Sequence, residues 1–266
     1  MFEKAKEKYK DKDNEYKLLI AKIIDKYFYS KKTNRIVNTD FLNLSEKIIV
    51  EKILKEEHIE NYCFYGVRKE PDRNILLFFP EKITMEIVEK NYTNILDIIR
   101  IELPNNVVYE HRDFLSGIMK LGLRREKFGD IIVTETGADI ICLKEVTNYL
   151  VTGLRELTRF KKSQITIEKI ENIHEKETSF IELTIIVSSN RLDNFVSELA
   201  KCSRTKAKEM IEQELVFVNY LPEHKESKKL NLEDIITIRG KGKFIFKEIE
   251  GETKSGRILV HVQKYN

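Results

Sequence analysis

Proline and glycine are scarce in this 266-residue chain, four and ten respectively. That leaves little material for long linkers and excludes collagen-like, low-complexity and disordered readings. Cysteine is scarcer still: Cys63, Cys142 and Cys202 stand far apart with no C-x-x-C. A disulfide framework and an all-cysteine metal site are excluded, and the reading is a reduced, cytoplasmic protein. The densest apolar runs, such as Ile75–Phe79, fall far short of the ~20 residues of a membrane span. The opening MFEKAKEKYKDKDNEY is charged throughout, without the apolar centre of a secretory signal.

Several catalytic signatures are also missing. The chain has no G-x-x-x-x-G-K-[ST], no G-x-G-x-x-G and no G-x-S-x-G, so nucleotide, dinucleotide and α/β-hydrolase readings lack support. The five histidines are scattered without an H-x-x-x-H pair. His111-Arg-Asp113 has the letters of a kinase catalytic loop, but Ile118 stands where its asparagine belongs. The expectation is a protein that is no enzyme, with no catalytic residues, no metal and no cofactor, and no evident small-molecule substrate.

What is present is enough apolar material (41%) for real cores and a densely charged surface (34%), at a length suited to two or three modest domains. The net charge of +3 is unevenly placed. Residues 191–266 hold 15 Lys/Arg against 12 Asp/Glu, and the first 190 residues balance. Lys201, Arg204, Lys206 and Lys208 form one basic group, and Arg239, Lys241 and Lys243 form another. Grouped cations of this kind are the footprint of a polyphosphate partner.

Hydrophobic periodicity predicts an α+β protein of three domains. Residues 1–80 read as a small α+β domain. It has a helix carrying Ile20, Ile23, Ile24, Tyr27 and Phe28, then a second helix starting near Asn43 with Glu46 in capping-box register. A hairpin of Tyr62–Val67 and Asn74–Phe79 turns at Glu70-Pro71-Asp72. Residues 81–175 begin with a short helix, Thr84–Lys90, and then read βαββαβ. The strands are Ile95–Leu103, Asp130–Thr134, Ala138–Leu143 and Gln164–Ile170; the helices are Arg112–Leu121, closed by Gly122, and Glu145–Leu157. That is the ferredoxin-like order, shared by RNA-recognition domains and many others. The aromatic strand signature that stacks bases in RNA-recognition motifs is not evident. Arg124, Arg125 and Lys127 form a possible second RNA contact here, diluted by Glu126 and Asp130.

Residues 181–266 form the third domain. After strand Ile181–Val187, Leu192, Phe195, Val196 and Leu199 give one short helix an apolar stripe. A second helix, capped by Ser203, buries Ala207, Met210 and Ile211 against it. Arg204 and Lys208 share a face of that helix, while Lys206 points elsewhere. Strand Val216–Val218 follows, then Asp234-Ile-Ile-Thr-Ile-Arg-Gly240. A helix N-terminus at Ser203 offers N–H groups to a phosphate, Arg204 can fork onto two of its oxygens, and Gly240 and Gly242 permit close approach.

The pattern R191-L-D, S203-R-x-x-A-x-x-x-I, V216-x-V-N and D234-x-I-x-I-R-G resembles the S4 RNA-binding domain. The resemblance implies an αα-β module gripping structured RNA, with Arg191, Ser203, Arg204, Lys206, Lys208, Arg239 and Lys241 facing it and Lys243 as a weaker addition. Asp193 is read as orienting Arg191 or capping the first helix. The S4 pattern has glycine where this chain has Glu214, and Asn-Gly where it has Asn219-Tyr220. With H111-R-D-F-L-S-G-I-M-K-L-G-L-R-R-E-K-F-G-D-I-I-V133 and R73-N-I-L-L-F-F-P-E81, nearly the whole chain is similar to the YlmH family of bacterial S4-domain proteins. F41-L-N-L-S-E46 matches less well, because the family tends to have proline near Leu44. The family resemblance implies an RRM-like middle domain. It also implies binding to ribosomal RNA, or tRNA, on the large ribosomal subunit, and a role in rescuing stalled translation. A pseudouridine-synthase-type RNA-modifying enzyme and a cell-division-linked adaptor are the rival readings.

Overall fold

A computed structural model of the chain describes Phe2, residues 14–175 and residues 178–266. It divides into two compact units, Met1–Lys176 and Glu177–Asn266.

In the first unit, helix α1 (Asn14–Thr33) buries Ile20, Ile23, Ile24 and Tyr27. Strand β1 (Val37–Asn43) leads into helix α2 (Leu44–Glu56). The Asn43 side chain accepts from the Glu46 N–H at 3.0 Å, and the Glu46 carboxylate accepts from the Asn43 N–H at 2.7 Å. This is the capping box read from the sequence, and it satisfies two donors that a helix start leaves without intrahelical partners. Strands β2 (Tyr62–Tyr65) and β3 (Arg73–Phe78) form the expected antiparallel hairpin. Strand β1 was not expected. Polar Asn38, Thr39 and Asp40 mask its alternation, although Val37, Thr39 and Phe41 are buried. Thr39 is tolerated inside because its hydroxyl accepts the Leu76 N–H at 3.0 Å and donates to the Asp40 carbonyl at 2.7 Å. The hairpin therefore becomes a three-stranded sheet, β1-β3-β2.

Helix α3 (Met85–Ile95) runs five residues beyond the expected end. There follow β4 (Leu96–Glu102), α4 (His111–Lys120), β5 (Phe128–Val133), β6 (Gly137–Leu143), α5 (Lys144–Glu156) and β7 (Gln164–Glu168). The antiparallel sheet order β5-β6-β4-β7 is the ferredoxin-like arrangement predicted. Gly122, at φ +76°, ends the α4 turn as expected.

The boundary placed near residue 80 falls inside this unit, because the two sheets share a core. One face of the three-stranded sheet packs Leu42, Leu76 and Phe78 against α1 and α2. Its other face packs Phe41, Ile75 and Leu77 with Ile98, Ile132 and Ile141 of the four-stranded sheet. The opposite face of the four-stranded sheet carries Ile99, Ile131 and Ile140 onto Phe114 of α4 and Leu150 of α5. Gly129 marks how close the sheets come: a Cβ there would lie 2.7 Å from the Phe41 ring. The helix-free sheet face, which an RNA-recognition domain uses to stack bases, is here interior.

The second unit holds β8 (Phe180–Val187), α6 (Leu192–Ala200), α7 (Arg204–Glu212), β9 (Val216–Val218), β10 (Leu221–Pro222), β11 (Ile235–Ile238), β12 (Gly242–Glu252) and β13 (Ile258–Tyr265). Its sheet runs β10-β9-β11-β12-β13-β8. The long β12–β13 hairpin enlarges the expected αα-β module. Phe195 and Val196 of α6, Ala207 and Ile211 of α7, and Val216, Ile236, Phe244 and Val260 of the sheet make one core. Among the described residues no helix is long and apolar enough to cross a membrane.

Candidate nucleic-acid interface

Helices α6 and α7 meet at a chain reversal where Lys201 takes φ +52° and Ser203 caps α7, its Oγ accepting from the Lys206 N–H at 3.2 Å. Asp193, in the first turn of α6, is fully buried yet ionic, and the Arg204 side chain reaches back to it. Arg191 donates to it through Nε and Nη2, at 3.0 and 2.9 Å. Arg204 donates through Nε at 2.9 Å, with its Nη2 also 2.9 Å away. Burial by itself would push this carboxyl up, but the bonds from Arg191 and Arg204 outweigh it and hold the acid below its ordinary range. Asp193 thus orients two arginines, one more than the sequence reading assigned. Arg204 remains half exposed, so the forked donors are aimed while their outer edges stay open to solvent.

The lysines of α7 diverge as their spacing predicts. Lys208 reaches Glu226 at 2.9 Å, and Glu226 also lies 3.8 Å from Arg191. Lys206 turns away to Glu209 at 2.8 Å. These are surface pairs, which water or a phosphate oxygen replaces at little cost.

The second basic group sits on the β11–β12 turn. Arg239 is anchored by its N–H to the Leu215 carbonyl at 2.9 Å, and its guanidinium lies 5.0 Å from the Phe217 ring centre. Lys241 is exposed at the tip. Gly240, at φ +77°, and Gly242, at φ +131°, hold backbone angles that other residues rarely take. Lys243 Nζ stands 4.4 Å from the Tyr265 ring and 5.4 Å from Tyr220. The sequence reading overlooked these aromatic neighbours. Phe217 and Tyr220 were visible inside the motif, whereas Tyr265 lies on a strand the reading did not foresee.

Both glycine departures are resolved by strain rather than by a different turn. Glu214 takes φ +56°, and Asn219 and Tyr220 take +49° and +68°. The backbone that glycine would favour is kept, with side chains added.

The possible contact in the first unit is largely engaged within the protein. Arg125 Nη1 donates to the carbonyls of Phe128 and Gly129 at 2.6 and 3.1 Å, and its guanidinium stacks on Phe128 at 4.3 Å. Lys127 bridges Asp40 and Glu145, each at 2.7 Å. Arg124 alone of the three is mostly exposed, beside Glu126 at 3.3 Å. Among the described residues, Glu248, Glu250 and His261 come close enough together to suggest a metal. They are on the surface, and His261 Nε2 already lies 2.6 Å from a Glu182 carboxylate oxygen.

Two short helices over an antiparallel sheet, with cations collected at a capped helix start, define an S4-domain RNA-binding protein, and residues 190–236 match the S4 domain model. Residues 89–174 match the model described as the putative RNA-binding domain in YlmH. Over these two segments the chain is similar to YlmH-type S4-domain proteins. It is similar to the ribosome-associated protein quality control protein P2 of Bacillus subtilis (strain 168), 29% identical over 235 residues, which cover 86% of this chain and 88% of that one. Among solved structures it matches the cell division protein ylmH from Streptococcus pneumoniae at 17% identity and a TM-score of 0.45. That match covers 61% of this chain and 96% of the other.

Proposed function

We propose that the chain binds structured RNA of the large ribosomal subunit, ribosomal RNA or tRNA, without catalysis, and acts in the rescue of stalled translation complexes. The contact surface is Arg191, Ser203, Arg204, Lys206 and Lys208 on and beside α6 and α7, with Arg239 and Lys241 on the β11–β12 turn and Lys243 at the start of β12. The observation that carries the reading is the buried Asp193 carboxylate shared by Arg191 and Arg204. A carboxylate withdrawn from solvent to fix two arginines, one of them half exposed, is an arrangement suited to a partner bearing phosphates. The ribosomal assignment is supported by the similarity to the ribosome-associated quality control protein of Bacillus subtilis.

Binding energy comes mainly from phosphates and selectivity from RNA shape. The test is RNA affinity against salt for the wild type and for Arg204→Ala/Lys208→Ala. Each neutralised phosphate contributes roughly 0.7–0.9 to the log–log slope, so the pair lowers the slope by about 1.5. An unchanged slope in a folded double variant removes this face from the account.

A further inference from the structure

The first unit contains a cleft of about 630 Å³ between α1, β1 and the turn at residues 124–127, within the size range of small-ligand sites. Most of its charges cancel in pairs. Lys127 is held by Asp40 and Glu145, and both Arg124 and Lys22 approach Glu126. Exposed Lys26 aside, two half-buried cations in its lining have no such partner among the described residues. Arg73 Nη2 donates only to the Phe41 carbonyl, at a long 3.4 Å, and its buried Nε has no hydrogen-bond partner among the described residues. Arg125 gives its bonds to the carbonyls of Phe128 and Gly129. Carbonyl oxygens satisfy N–H groups but cancel no charge.

The two guanidinium groups also feel each other. Burial lowers the Arg73 pKa, and burial together with Arg73 itself lowers that of Arg125 to about 10. Asp130 and Glu46 attract at a distance, but neither forms an ion pair with them among the described contacts. A half-buried pair of like charges, attracted by carboxylates but ion-paired with none among the described contacts, favours an added anion beside it. A tetrahedral oxyanion fits this need best, because its oxygens can take N–H donors from both forks. Leu18, Leu19 and Ile23 add apolar wall beside the charged end, where a base or sugar can lie.

We propose that this cleft binds the phosphate of a mononucleotide-sized ligand through Arg73 and Arg125, independently of the RNA face on the second unit. The test is amide chemical-shift mapping of the full-length chain with inorganic phosphate, against chloride at matched ionic strength. AMP and GMP follow, and then short RNAs with a 5′-phosphate or a 5′-hydroxyl.

Saturable shifts confined to residues 40–46, 72–74 and 124–129, at millimolar phosphate or below, are expected. Mononucleotides should bind at least tenfold more tightly than phosphate. Arg125→Gln should weaken both at least tenfold; should it fail to fold, Arg73→Lys keeps the charge, loses the fork and should weaken them severalfold. Tighter binding of the 5′-phosphorylated RNA than of mononucleotides keeps the phosphate site and overturns the small-ligand assignment. No saturable shift in the cleft, or shifts reproduced by chloride, overturns the site.

Discussion

Asp193 shows how a single buried charge organises two arginines from different helices. Its folded pKa is depressed, so its contribution to stability is present above the ordinary carboxylate range and is lost as pH falls through the folded value. Asp193→Ala removes the common anchor of Arg191 and Arg204. It should lower stability in urea by about 2 kcal/mol and weaken RNA binding by more than loss of either arginine alone. Asp130 runs the other way. Burial first, and then the nearby Asp72, raise its pKa to about 6. The native state therefore holds this proton longer than the unfolded chain. The associated stability is full below about pH 4 and is lost as pH rises through about 6. Asp130→Asn should flatten that fall and raise stability at pH 8 by about 1–2 kcal/mol, the gain being limited by lost attraction to nearby arginines. Urea titrations from pH 4 to 8 measure both effects. Glu214 offers a simpler case. Its φ of +56° costs a side chain about 1 kcal/mol, so Glu214→Gly should raise the melting temperature while leaving RNA affinity intact.

At the scale of elements, legibility followed the strength of local signals. The capping box at Asn43 and Glu46, the stripe on α6 and the Ser203 cap are written in adjacent residues, and all three appear where their spacing places them. Strand β1 was illegible because its buried Thr39 is satisfied by Leu76, 37 residues away. Strand β13 was missed although Val260 and Val262 alternate into the core, since nothing local says what it pairs with. The Asp193 fork was half legible: R191-L-D suggests the first arginine, while Arg204 joins only once two helices are packed. Gly129 could not be read as a contact between sheets at all. Gly129→Ala puts a methyl group against the fully buried Phe41 ring and should cost about 1–3 kcal/mol, measurable by urea unfolding of the full chain.

For the whole molecule, the two units divide the work. The first spends the helix-free face of its ferredoxin-like sheet on an internal core, so that face is closed to stacking bases. The second concentrates the chain's basic surplus around a capped helix start and a glycine-rich turn. The proposed RNA-binding face is therefore that of α6 and α7 in the second unit, and its proposed target is the large ribosomal subunit. Co-sedimentation of the purified full-length protein with separated ribosomal subunits, at low and moderate salt, tests both together. The prediction is selective pelleting with the large subunit, reduced at moderate salt and lost in folded Arg204→Ala/Lys208→Ala. Equal pelleting with either subunit would contradict the assigned target, and pelleting that ignores the double substitution would contradict the assigned face.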